Sequence, residues 1–431
     1  MLVAGLLPVL LGMTGLAIDL GSVAAHRREA QNAADAAALA GAGVLLNGGT
    51  PTAARTAALS WAQKNGYASA ATTVNIPPLS GAHIGDSNYV EVSVAKTSPT
   101  AFIKILGINS TSVGSRAVAG FKTTPKNYAL IVLNKTTCSA YNQTSSSTLT
   151  INGGGLIVNS SCNPSAVQGG GSTITSTAID YYSAGGWQLS PNATDSIPPS
   201  AVGAQIPDPL ATLARPIPCT STSVYTPAGC TVLQSPDSGG TQAIPKQQLI
   251  AVNDNSLGTL RPGVYWGGLK ITGNGGNANV VFQPGTYIFA GGGVTQGGFT
   301  YSGSANLSGS GVTFFNTDDQ LASSSANWPC GGYSLTGNGV LNFTAPTSGT
   351  WKNMLFWQGD SCWETFKYAG GNWTTAGVIY LPKAQLSVTG GGNLGAIQII
   401  VDTFSYSGSA PVTINYTDYV QATPPRLALI E

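Results

Sequence analysis

Pro262-Gly263-Val264-Tyr265 returns as Pro284-Gly285-Thr286-Tyr287, 22 residues further on. Around this pair, short β-branched or aromatic clusters recur between Gly-, Ser- and Asn-rich turns. They begin at Val312 (VTFF), Met354 (MLFW), Val378 (VIYL) and Ile397 (IQIIV). The step from Val312 to Met354 is 42 residues, close to two repeats, and Gly339 to Phe343 (GVLNF) is the expected intervening unit. Earlier, residues 149–159 (LTINGGGLIVN) and 169–177 (GGGSTITST) have the same form. A period of about 20–50 residues marks a stacked architecture. With short strands, glycine turns and no run of helix formers, it predicts a parallel β-helix in which each coil buries few side chains. Leucine-rich repeats are excluded because no LxxLxL spacing occurs. A β-sandwich is the alternative, since strands about 8–12 residues apart also fit the pattern.

Composition supports a stacked, weakly charged body. Charged residues make up 8% of the chain, against about 25% in an average globular protein. The net charge of +1 gives no field for nucleic acid or anionic lipid. Fifty-six glycines and 42% hydrophobic residues leave a surface of mostly Ser, Thr, Asn and Gly. Such a surface suits packing against copies of the same chain better than a solitary monomer, which keeps charge for solubility.

The six cysteines are Cys138, Cys162, Cys219, Cys230, Cys330 and Cys362. Nearest-neighbour pairing closes three loops (138–162, 219–230 and 330–362), although six cysteines allow fifteen connectivities. No CxxC spacing occurs and there are two histidines, which argues against zinc. An even count without metal spacing predicts three disulfides and an oxidising, extracytoplasmic compartment. The stretch 197–250 is proline-rich, and proline breaks strand ladders. It is expected to be an ordered arm, clipped by Cys219–Cys230 and packed on the β region or on a neighbour.

Three segments follow from the change of character along the chain: 1–48, 49–124 and 125–431. In the first, Leu2 to Ile18 carries no charge and as a helix would span roughly 25 Å, the low end of membrane-crossing length. Asp19 ends the apolar run, His26-Arg27-Arg28-Glu29 brings charge, and Ala33 to Ala42 is alanine-rich. Alanine has the highest helix propensity, so one helix is expected past residue 40, kinked at Pro8 and fraying at Asn47-Gly48-Gly49. A signal peptide, a permanent anchor and a transient membrane passage compete for this stretch. The third is favoured, with a basic leader cut away and the helix ending in the core of a polymer. A signal peptide needs preceding positive charge. A permanent anchor would use Arg27 and Arg28 to hold the rest of the chain in the cytoplasm.

Residues 49–124 read as a helix from Pro51 to Asn65, strands at Thr72–Ile76 and Tyr89–Lys96, a short helix ending at Leu106, and a strand from Ser110 to Phe121. Pro51 at the helix start and Gly66 past its end mark the first boundaries. Val90, Val92 and Val94 alternate with Glu91 and Ser93, the period of a half-buried strand. Strand, short helix and strand are expected to form a βαβ crossover, with His83, Glu91 and Lys104 as solvated surface.

The first segment carries a resemblance. Leu7 to Leu11 (LPVLL), Gly15 to Asp19, the pair Arg27-Arg28 and Gln31 to Leu39 (QNAADAAAL) resemble the N-terminal signature of TadE/TadG-like proteins of tight-adherence pilus-assembly systems. A weaker echo runs to Lys122. The resemblance implies an envelope or surface protein of a pilus system, passing transiently through the inner membrane. Type IV pilin-like proteins carry Glu at mature position five, where this chain has Gly5. On this resemblance the assembly residues are Leu7, Leu10, Leu11, Leu16, Asp19, Arg27 and Arg28. A buried carboxylate needs a partner, and Arg27 lies about 12 Å along the same helix from Asp19. Asp19 is therefore expected to meet Arg27, Arg28 or the terminal amine of a neighbouring subunit, or else to be hydrated at a membrane edge.

A β-helix also raises the prospect of polysaccharide cleavage. Asn316-Thr317-Asp318-Asp319 resembles elements of polygalacturonases, but the accompanying Gly-His-Gly and Arg-Ile-Lys are missing, and the two histidines are His26 and His83. Asp318, Asp319, Asp360 and Glu364 are the carboxylates available for inverting hydrolysis, read here as acids on turns. Gly291-Gly292-Gly293 lacks the Lys-Ser/Thr of a phosphate loop. Trp187, Trp266, Trp328, Trp351, Trp357, Trp363 and Trp373 are expected to pack coils or an interface rather than form a sugar platform. The expected protein is thus α+β: a long N-terminal hydrophobic helix, a small pilin-like α+β module and a large all-β, β-helical region. It is expected to be a structural filament subunit at the cell surface, with no catalytic, cofactor or metal site. Its expected partners are copies of itself and the pilus-assembly machinery, but no nucleic acid. A membrane-anchored accessory protein binding glycan or a surface is the alternative.

Overall fold

The computed structural model describes residues 2–46, 49–123, 126–182, 184–216, 232–234, 248–252, 257–266, 268–273, 278–290, 298–318, 330–370, 373–390, 394–409, 411–417 and 425–429. Two compact units result. One comprises residues 1–124 together with 424–431, the other residues 125–423.

In the first unit, helix α1 runs Leu2–Leu46 and helix α2 runs Pro51–Lys64. Thr50 caps α2, its hydroxyl accepting from the Ala53 amide at 3.2 Å, and Pro51 sits where no amide is needed. Strands β1 (Thr72–Asn75), β2 (Tyr89–Pro99) and β3 (Ser110–Thr123) pair antiparallel in that order. The terminal strand Pro425–Leu429 adds antiparallel to the free edge of β3, with Thr123 beside Pro425. The last strand therefore belongs to the first unit, not to the β region. The expected βαβ crossover is absent: β2 and β3 are antiparallel, joined by a loop whose helical part is one short turn, Ile103–Leu106. A parallel return needs a dozen or more residues, and this connection is too short.

Alanine explains how α1 packs. Ala30, Ala33, Ala34, Ala37, Ala38 and Ala42 are fully buried with Val90, Val92, Ala117 and Ala119 of the sheet and with Ala58 and Ala62 of α2. Small side chains let the backbones approach closely. A Cβ on Gly41 would lie 3.0 Å from Val90 and 3.2 Å from the Ala54 carbonyl. The alanine-rich half of α1 is thus the spine of its own unit. Among the described residues, no helix is long and apolar enough to cross a membrane.

The second unit is almost wholly parallel β structure. Its strands fall in turn into three ladders: Tyr128–Val132, Tyr141–Thr144 and Thr148–Asn152, then Gly155–Val158, Ala166–Gln168 and Thr173–Thr175, and so on. Central strands of the first ladder are buried on both faces, so they read as unbroken apolar runs. Met354–Gln358, Val312–Thr317 and Tyr128–Val132 are buried at every position. Each cluster beginning at Val312, Met354, Val378 and Ile397 supplies a strand to this ladder. The register differs from the sequence repeat: Val264 lies beside Ile288, not Thr286. Phe315 lies directly beside Trp357, so the 42-residue step is a single rung. The GVLNF stretch supplies Leu341–Thr344 to the third ladder instead of a missing rung.

The path of the chain through these ladders is unexpected. From Tyr128 it winds outward to Ser200–Val202. It resumes at Val232–Gln234 on the opposite end and winds back, so that Ile399 to Val401 of the last turn pair with Leu130 to Val132 of the first. The proline-rich stretch joins the two ends. Within it, residues 203–216 pack Ile206, Leu210 and Leu213 on the outer face of the first ladder, with Ile131, Trp357 and Tyr380. Asn159 exchanges two hydrogen bonds with the Ile206 backbone, the Tyr380 hydroxyl donates to Asp208 at 2.8 Å, and the Trp351 indole donates to the Ala214 carbonyl. Disulfides join Cys138 to Cys162 and Cys330 to Cys362. Cys219 and Cys230 lie outside the described residues.

Candidate assembly site

Asp19 is 3% exposed. Its partners are neither arginine nor solvent. The backbone amides of Ala101, Phe102 and Ile103, at the start of the turn between β2 and β3, all donate to its carboxylate at 2.7–2.8 Å. One turn earlier on the same face of α1, Gly15 lies beneath Phe102, where a Cβ would come within 2.7 Å of the ring. Gly15 and Asp19 thus form one docking place for the loop, shape from the glycine and hydrogen bonds from the acid. The Ile103 amide, followed by that of Ala101, holds the Asp19 carboxyl below the usual carboxylate range. Burial opposes them and the Phe102 amide adds to them. Within one chain, these three amides are the partners that the Asp19 carboxylate finds.

Arg27 and Arg28 are exposed on α1, and neighbouring His26 meets Glu29 at 3.2 Å. Leu16 is exposed as well, with Met13, Ile18 and Leu20. Leu7, Leu10 and Leu11 lie on the first turns of the same helix. Gln31 and Asp35 of the QNAADAAAL stretch hydrogen-bond each other at 2.7 Å, while its alanines face the sheet. The sequence pointed to Asp19 through the charge it places in an apolar run. The backbone amides that answer it come from a loop with no polar side-chain signature, and that half of the site was not legible.

Glu91, expected in solvent, is buried. Its carboxylate accepts from Asn75, the Leu79 amide, Ser80 and, at 2.5 Å, the Arg116 guanidinium. Burial pushes its carboxyl up, but the four donors outweigh it and bring it down to about 2. The segment 79–80 folds over the face of the sheet at β2 and converts an outward position into a covered one. His83 stacks on Tyr89 at 3.9 Å.

The carboxylates considered for hydrolysis are dispersed. Asp318 accepts from the Thr317 hydroxyl, Asp360 and Glu364 are exposed around Cys362, and Asp319 lies outside the described residues. No group of three potential metal ligands occurs among the described residues. Trp357 and Trp373 are buried, Trp187 stacks on Tyr141, and Trp351 anchors the arm; Trp363 is exposed. Trp266 ends the strand Gly263–Trp266, and Trp328 lies outside the described residues.

Residues 1–44 match the Flp pilus-assembly TadE/G-like family. That match gives the segment a role in Flp pilus assembly and an association with the cell envelope or surface. The curated proteins and the solved structures hold no match to the chain.

Proposed function

We propose that the chain is a structural subunit of an Flp-type pilus, assembling through its first unit and displaying its second on the outside of an extracellular filament. One observation carries this reading: the segment that matches a pilus-assembly family contains Met13, Leu16, Ile18 and Leu20, apolar side chains that its own unit leaves exposed. The second unit is read as a parallel β-helix. Three ladders of parallel strands entered in strict rotation support it, as does an interior of stacked aromatics. Its role is display, not catalysis, and the dispersed carboxylates favour that. Fibres sheared from cells and purified should contain this chain as their bulk protein. Intact fibres lacking it would contradict the proposal.

A second reading has one observation of its own. Trp363 is 72% exposed on a loop fixed by the Cys330–Cys362 disulfide, between Asp360 and Glu364. A fixed, exposed indole flanked by hydrogen-bond acceptors suits a sugar ring. It fits an accessory protein that binds glycan. Such a protein would be a minor component of the fibres, and Trp363→Ala would abolish attachment without altering fibre yield.

A further inference from the structure

The first unit is not continuous along the chain. Its sheet takes β1, β2 and β3 and then, after the whole of the second unit, the strand Pro425–Leu429. That strand has five residues, lies at the sheet edge and pairs on one side, Ala119 beside Leu429 and Phe121 beside Leu427. It also lies against α1. An edge strand this short makes few bonds, so its docking depends on how long a loop must close to return it. Without it, β3 presents unpaired backbone groups over residues 119–123, a template for other chains.

The second unit sets the length of that loop. Unfolded, residues 125–423 are a loop of about 300 residues between β3 and the strand. Folded, the loop is closed from within. Leu130 to Val132 pair with Ile399 to Val401, and Leu149 to Asn152 pair with Val412 to Asn415. The connections to the first unit are then short, residues 124–127 and 416–424. Closure becomes harder as the three-halves power of loop length. Shrinking the effective loop from about 300 residues to a few tens therefore favours the docked strand at least about tenfold.

We propose that Pro425–Leu429 is a latch that couples the first unit to the folding of the second: it closes the β3 edge once the second unit has joined its own first and last turns. On the structural-subunit reading, on which this consequence rests, a chain is complete as an assembling subunit only after its display unit has formed.

The test uses the full purified chain and needs no fibres. Inserting about 100 glycine and serine residues between Thr423 and Pro424 lengthens the connection without touching either core. Hydrogen-exchange protection of the amides that β3 and the strand share should fall about fivefold, with α2 and the ladders of the second unit unchanged. Phe314→Asp, which puts a charge into the aromatic interior and unfolds the second unit, should lower the same protection at least about tenfold. Thr123→Cys with Pro425→Cys places a disulfide across one directly paired position, and once oxidised it should abolish both losses. Unchanged protection in the insertion variant, or losses that persist in the oxidised pair, would overturn the latch. Either result leaves the structural role intact, whereas absence of the wild-type chain from fibres would remove that role and leave the exchange result standing.

Discussion

The first unit packs alanines where the second packs aromatics. Ala33, Ala37, Ala38 and Ala42 bring α1 down onto its sheet, but each removes little apolar area from water. In the second unit Phe314 meets Phe343 at 5.1 Å and Phe282 and Phe356 at 5.3 Å, one part of a continuous interior stack. The surfaces differ in the opposite sense. Met13, Leu16, Leu20, Trp61, Leu79, Ile84, Ile105 and Ile108 are exposed in the first unit, against Leu189, Ile197, Val340 and Trp363 in the second. A unit that buries its large side chains can face solvent alone through Ser, Thr and Asn. One that leaves them outside needs a partner. This contrast is why the proposed reading gives association to the first unit and display to the second.

The largest expected effect comes from breaking the aromatic stack. Phe314→Ala should cost about 3–5 kcal/mol and should raise hydrogen exchange in the ladders. Protection in α1 and α2 should hold, because the two units have separate cores. Loss of protection in both would show a single cooperative core and erase the contrast.

Glu91 tests the first unit next. Removing one partner of a largely buried ion pair costs about 3 kcal/mol, so Glu91→Ala should melt the first unit and leave the second unchanged. The pH dependence has a definite sign. The folded carboxyl is depressed to about 2 from an ordinary 4.5, so its stabilisation is complete above the ordinary value and is lost as pH falls through about 2. Acid titration should open the first unit across that window in the wild type. Glu91→Gln should show a flatter profile, and an unchanged one would remove Glu91 from the acid response.

The Cys330–Cys362 disulfide encloses a sequence separation of 32 residues and holds neighbouring strands of the second ladder. Replacing both cysteines by serine should cost about 2–4 kcal/mol, read as a lower melting temperature of the second unit. Fibre yield should be unaffected if assembly rests on the first. A parallel loss of fibres would place the second unit in the assembly contacts.

Legibility in the sequence followed burial. The first ladder, covered on both faces, wrote itself as apolar clusters, and those clusters marked its strands correctly. Their spacing misled because turns of unequal length separate them, which is why Val264 meets Ile288 and Phe315 meets Trp357. The other ladders are covered on one face, as in the alternating burial of Leu269–Gly273, and blend into the glycine-rich turns. Pairing of the last turn with the first, Ile400 beside Ile131, joins residues far apart in sequence and leaves no local trace. Pro51 and Gly66 marked α2 because caps are local. The short helix expected to end at Leu106 is a single turn, Ile103–Leu106, on which Ile105 faces outward. Asp19 stood out, yet its backbone partners could not, since any sequence provides amides.

Solvent labelling of intact fibres tests the division between units most directly. Leu16→Cys should be protected from a thiol reagent in fibres and reactive once they are depolymerised, while Ser308→Cys on the third ladder should react in both states. Free reaction of Leu16→Cys within intact fibres, with Ser308→Cys protected, would contradict the assignment of assembly to the first unit and display to the second.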